Sequence, residues 1–183
     1  DMQMVADNEG QNFKIAAWDW WQYSEKVRKE KYDLDESAIK PYMSLDNVIQ
    51  GVFNTTNKLW GLNFKEIFDI DLYHPDARVW EVTDKDGSHL ALFIGDYFTR
   101  SNKRGGAWMS SFKSQSNLDG SERPIVVNVC NFPAPVRDNP SLLSFENVVT
   151  LFHEFGHAMH GILTNVTYPS MAGTSGPRDF IEL

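Results

Sequence analysis

One cysteine, Cys130, stands in the whole chain. Its isolation excludes an internal disulfide and any metal site built on several thiolates. In its apolar run it reads as a small buried residue of a strand. Positive charge is also scarce: 17 Lys and Arg face 25 Asp and Glu, a net charge of −8. That balance, with no basic run, argues against nucleic acid as a partner. No apolar stretch approaches the about 20 residues that span a bilayer, so no membrane partner is expected. No signal peptide is visible either, and a cytoplasmic protein is the expectation, although the chain begins at Asp1 and its true N-terminus is expected to lie further upstream. Repeats and low-complexity tracts are absent too. Aromatic residues, by contrast, are plentiful at 13%, with six Trp and twelve Phe. They imply a substantial core, or a surface covered by something else, in a chain long enough for one domain or two small ones.

Residues 1–12 are polar and read as a loop or frayed start. Residues 13–31 read as a helix, with Trp18, Trp21, Val27 and Tyr32 at near-helical spacing and cations crowding its last turns. After a break at residues 32–36, Asp35 is placed as the N-cap of a short helix that must end before Pro41. Ser44 opens the next helix, whose apolar face is assigned to Val48, Val52, Leu59 and Trp60 and whose end is set by Gly61. The pattern then changes. Runs at 64–70, 78–83, 89–98 and 124–130 are rich in Val, Ile and aromatics, and Asp84-Lys85-Asp86-Gly87 is a hairpin signal between two of them. Residues 64–132 therefore predict a small, mostly antiparallel sheet. A Pro-rich linker containing Asp138 returns the chain to a helix at about 144–163, followed by a Gly/Ser/Thr/Pro loop and a further helix from Arg178. The fold expected is mainly α with a small antiparallel β-sheet, in three stretches of one region: 1–63 helical, 64–135 sheet, 136–183 helices.

The chemistry concentrates in His153-Glu154-Phe155-Gly156-His157. On a helix, His153 and His157 lie one turn apart on one face, where two imidazoles can bind one zinc ion. Glu154 points about a quarter-turn away, out of ligand position but within reach of a water on the metal. Leu151, Phe152, Phe155, Ala158, Met159, Ile162 and Leu163 make the helix apolar on most sides, so it reads as buried. Histidines and a glutamate on such a helix need partners, and a metal supplies one. A catalytic zinc takes three protein ligands and leaves one position open. A third histidine ten residues after His153 would mark a metzincin, but Leu163 stands there. A carboxylate from the following helix is the other route. Glu182, 25 residues after His157, is one candidate and Asp179 its competitor. His160, seven residues after His153, is an accessory candidate on the same stripe. Glu146, seven residues before His153, is placed either as a carboxylate for an imidazole N–H or as a first-turn acid favouring the helix dipole. Gly105 and Gly106 belong to a loop that lacks the spacing of a phosphate cradle and is suited to offering backbone N–H groups to a substrate. His74 and His89 read as structural or surface residues.

The stretch from His153 through Gly156-His157-Ala158-Met159-His160, followed by Ala172-Gly173-Thr174-Ser175-Gly176-Pro177-Arg178-Asp179-Phe180-Ile181-Glu182, resembles the thimet-oligopeptidase family of zinc metallopeptidases. Residues 18–29, 73–82 and 103–109 are similar to its bacterial peptidyl-dipeptidase branch. The resemblance runs over nearly the whole chain. It implies His153, His157 and Glu182 as ligands of one Zn2+ on an HExxH zincin catalytic helix, Glu154 as general base and acid, and a short peptide as substrate. It also implies a larger helical enzyme with a deep channel, of which this chain is a central piece and a partial domain; the remaining segments of the same enzyme are then its partners. The reaction implied is release of C-terminal dipeptides, with an endo-acting oligopeptidase as the alternative. A non-enzymatic peptide-binding or structural fragment with an empty metal site is the reading from another class. Because members of the family carry further substrate-binding and oxyanion-stabilising side chains beyond the position of Glu182, the 183-residue chain alone is expected not to be a working peptidase, to bind zinc weakly or not at all, and to self-associate through its aromatic helices.

Overall fold

A computed structural model describes residues 1–32, 36–137 and 139–182; the expected Asp35 cap and Asp138 of the linker lie outside the described residues. The chain divides into two compact units, residues 1–41 and 42–183.

The first unit holds a helix where a loop is expected. Helix α1 spans Met2–Asn8 and α2 spans Trp20–Tyr32. A seven-residue helix is too short to persist by propensity alone. Non-local bonds hold it: Gln3 donates to the carbonyl of Phe13 at 3.0 Å and accepts from the N–H of Ile15 at 2.9 Å. The helix expected over 13–31 starts late, with a 3₁₀ turn at Ala17–Asp19 ahead of α2. Its buried residue is Tyr23, edge-on to Phe13, whereas Trp18, Trp21 and Tyr32 are exposed. Helix α3, Glu36–Ile39, ends before Pro41 as expected, and a 3₁₀ turn at Lys40–Tyr42 then carries the chain through the proline. Proline is tolerated there because the first turn has no use for its N–H.

In the second unit, α4 spans Leu45–Trp60, with Ser44 accepting the N–H of Asn47 and Gly61 ending the helix in a left-handed conformation. Its buried face is Leu45, Val48, Ile49, Val52, Phe53 and Thr56; Leu59 and Trp60, assigned to that face from sequence, are exposed. Five strands follow: β1 Asn63–Ile67, β2 Arg78–Thr83, β3 His89–Phe98, β4 Trp108–Lys113 and β5 Ile125–Phe132. They are ordered β1-β2-β3-β5-β4. The sheet is mostly antiparallel, as expected, but mixed: β1 with β2, β2 with β3 and β4 with β5 pair antiparallel, whereas β3 and β5 pair in parallel. Strand β4 causes this. The chain leaves β3, places β4 at the outer edge, and returns antiparallel to it as β5, which fills the gap beside β3 in the same direction as β3. The hairpin at Asp84–Gly87 is as expected, closed by Asp84 N–H to the carbonyl of Ser88 at 2.9 Å.

Strand alternation sorts the core into two faces. Val82, Ala91, Phe93, Val126 and Cys130 pack with α4 and with the last long helix, α5 (Phe145–Ile162). Ala77, Val79, Ile94, Val127 and Val129 cluster separately. Phe53 binds the layers together, stacked on Phe64 and edge-on to Trp80 and Phe93. Among the described residues, no helix is long and apolar enough to cross a membrane.

Gly95 of β3 shows how closely this core is filled. A methyl group there would stand 2.3 Å from the ring of Tyr97, itself 2% exposed and stacked on Phe132. A buried ring in that position has nowhere to retreat. Gly95→Ala is therefore expected to destabilise the protein by about 1–3 kcal/mol, read as an earlier midpoint in urea unfolding.

Candidate metal centre

Helix α5 is held at its N-terminus by a pair of reciprocal bonds. Ser144 accepts the N–H of Asn147 at 3.2 Å, and the Asn147 side chain accepts the N–H of Ser144 at 3.4 Å. Leu151, Phe155, Ala158, Met159 and Ile162 press one side of the helix into the core. The opposite side is open rather than buried all round: Val149, Phe152 and Leu163 are exposed. This open side carries His153, while His157 is partly buried.

After α5 the chain passes through a 3₁₀ turn, Pro169–Met171, and enters the four-residue helix α6, Arg178–Ile181. Glu182 caps α6, its N–H donating to the carbonyl of Arg178 at 3.0 Å. This path brings Glu182 back onto α5. Its Oε2 lies 3.4 Å from His153 Nε2 and 3.5 Å from His157 Nε2. The two Nε2 atoms are 3.1 Å apart. An ion bound tetrahedrally through bonds of about 2.0–2.1 Å separates its ligand atoms by about 3.3 Å. The triangle fits that geometry. Among the described residues, these three form the one cluster of His, Cys, Asp and Glu able to hold a metal.

Glu154 lies next to the triangle but outside it, 8% exposed. Burial raises its pKa above the usual carboxylate value; the charges of His153 and His157 act the other way, Glu182 adds to the rise, and the backbone of Met109 opposes it. The result is a carboxyl that accepts a proton more readily than one in water. A cavity of about 250 Å³ joins Glu154 and the three ligand candidates to Ala107, Trp108, Thr174 and Ile181. Cys130 is no rival nucleophile: burial, then the charge of Glu154, push its thiol up to about 12.

The other candidates stand apart. His160 is exposed near the C-terminal end of α5, its ring 6.5 Å from that of Phe180, and is not in the triangle. Asp179 is exposed in the first turn of α6, also outside the triangle. Glu146 is exposed in the first turn of α5. Gly105 and Gly106 are exposed in the loop ahead of β4, where the Gly106 carbonyl accepts the Asn131 amide at 2.7 Å. His74 and His89 take local roles, beside the N–H of Asp76 and the carboxylate of Glu81. Sequence reasoning missed β4 as a wall of the cavity. Its burial pattern shows no alternation to find.

The whole chain, residues 1–183, matches the model of peptidase family M3. It is 51% identical over 183 residues to a dipeptidyl carboxypeptidase of Salmonella typhimurium and 50% identical over 182 residues to one of Escherichia coli. These alignments cover 100% and 99% of this chain. Oligopeptidase A of Escherichia coli is 37% identical over 173 residues, 93% of this chain. The chain spans only about a quarter of each relative's length: 27%, 27% and 25%.

Proposed function

Since this chain belongs to peptidase family M3, we propose that it supplies the zinc-binding catalytic part of a peptidase that releases dipeptides from the C-termini of short peptides. The observation that carries this reading is the triangle of His153, His157 and Glu182 with a buried carboxyl beside it. The identity of about half the residues to two dipeptidyl carboxypeptidases supports the choice of product.

In this reading His153, His157 and Glu182 hold one zinc ion. When bound, zinc supplies Lewis acidity that polarises a peptide carbonyl and makes a neighbouring water more acidic. The protein's own work is proton transfer and placement. A carboxylate oxygen of Glu154 takes a proton from the attacking water, and the same carboxyl then gives it to the nitrogen of the departing amine. Its burial suits both halves of that exchange, because the protonated form costs less than it would in solvent. Trp108 and Met109 of β4 wall the cavity and restrict the water and peptide that reach it. The remaining segments of the enzyme complete the substrate channel. An endo-acting oligopeptidase is the second reading, favoured by the resemblance to oligopeptidase A.

The test uses the full enzyme that carries this chain. Metal analysis is expected to find one zinc per chain. Mass spectrometry of a digested hexapeptide is expected to show successive loss of C-terminal dipeptides. Cleavage confined to internal bonds would favour the endo-acting reading. A metal-free enzyme that turns peptides over just as fast would end both.

A further inference from the structure

Trp108 borders a second recess, of about 420 Å³, shared with Tyr73, Asp96, Arg100, Lys103 and Arg104. Its charges do not balance. Asp96 is buried and accepts two bonds from Arg100, at 2.7 and 2.8 Å, one from Lys103 at 2.9 Å and one from the Tyr73 hydroxyl at 2.9 Å. Burial alone would raise its pKa, but these bonds outweigh it and hold the carboxyl at about 2. Lys103 also donates to the carbonyls of Asp96 and Phe98 at 2.9 Å each. One carboxylate in the lining thus answers two cations; Asp76 adds its attraction for Arg100.

Arg104 has no such answer. Among the described residues no carboxylate pairs with it. It is exposed, and its guanidinium lies 5.1 Å from the centre of the Trp108 ring. The backbone beneath it is anchored, since the Asn131 amide donates to the carbonyls of Arg104 and Gly106 at 2.9 and 2.7 Å. A guanidinium lying against an aromatic ring keeps N–H groups free for a planar anion. Held against Trp108 in the lining of this recess, the guanidinium is placed to meet an anion.

Trp108 lines both the recess and the metal cavity. Trp108 is also the first residue of β4, the edge strand. An extended peptide laid antiparallel along that edge has its C-terminal end at Trp108. Two residues beyond a cleaved bond reach roughly 7 Å, and the terminal carboxylate is the one anion that every such substrate carries. We propose that Arg104, in the recess beside Trp108, binds the C-terminal carboxylate of the peptide and so selects the bond that is cut. This rests on the reading that the enzyme releases C-terminal dipeptides.

The experiment compares the full enzyme with Arg104→Gln and Arg104→Lys, on a peptide free of acidic side chains, offered as the free acid and as the C-terminal amide. The wild type is expected to prefer the acid. Arg104→Gln is expected to lose about 10- to 100-fold in kcat/KM on the acid, mostly through KM, while the amide stays within about twofold. Arg104→Lys, which keeps the charge without the planar fork, is expected to fall between. Equal losses on acid and amide, or no loss on either, would overturn the proposal. So would a fall in zinc content, which would make Arg104 a structural residue. If the wild type releases C-terminal dipeptides and Arg104→Gln is unaltered, the proposal alone fails. If the wild type is indifferent to the free carboxylate yet still releases C-terminal dipeptides, the proposal fails and the dipeptide-release reading stands; if it releases none, both fail.

Discussion

Replacing Glu154 by glutamine is expected to leave zinc bound and to lower kcat by about a thousandfold or more. Glutamine has nearly the same shape, so the packing around this 8% exposed side chain is preserved. It lies outside the triangle of candidate ligand atoms, so metal binding is expected to be unchanged. What is lost is the ability to take a proton. An amide neither accepts one from water nor delivers one to an amine, and both halves of the exchange fail together. Metal analysis and steady-state kinetics on the same preparation of the full enzyme are the check. A variant that had lost its zinc would make Glu154 a ligand and remove it from the role of base.

Glu182→Ala is expected to release the metal, whereas Asp179→Ala keeps it. The Glu182 carboxylate oxygen is the corner shared by both 3.4 and 3.5 Å edges of the triangle. Without it, two imidazoles on adjacent turns remain. Groups that merely orient a ligand are worth about 10–100-fold in affinity, so a ligand itself should be worth more than about 100-fold. Asp179, three residues earlier, is exposed in the first turn of α6 and reaches neither imidazole. Competition with a chromogenic zinc chelator measures both variants. A zinc-replete Glu182→Ala beside a zinc-free Asp179→Ala would reverse the assignment.

The pairing of His153 with His157 was legible because it depends on one turn of one helix, and the helix announces itself through Ser144, its apolar stripe and its length. The strands β2, β3 and β5 were legible for a similar reason: each buries enough β-branched and aromatic residues to stand out. β4 was not. Four of its six residues are exposed, and its order comes from the ladder to β5, a partner distant in sequence. The parallel pairing of β3 with β5 was hidden for the same cause, since it follows from where β4 goes. Helix α1 depends on bonds from Gln3 to residues ten and twelve positions away, which local pattern does not reveal. Leu59 and Trp60 show the opposite failure. They fit the helical period but sit past the last turn of α4 that touches the core. The convergence of Glu182 on the imidazoles is likewise a property of the loop's path, which spacing alone left open between Glu182 and Asp179.

That path is fastened at its start, where Val166 N–H donates to the Gln115 side chain and the Ser116 hydroxyl donates to the carbonyl of Thr167, and again further on. The hydroxyl of Thr164 donates to the carbonyl of His160 at 2.6 Å and accepts the N–H of Gly173 at 2.8 Å. Gly173 lies about two-thirds of the way along the segment from His157 to Glu182. A chelate closed through an untethered segment of that length would lose chain entropy each time it captured an ion. Here much of that ordering is already complete in the folded chain, because the segment is fastened at Gly173 to Thr164, just past the end of α5. In the proposed zinc site the free energy of coordination would then go chiefly to retaining the ion, and its release would have to open a closed ring rather than let a slack one drift apart.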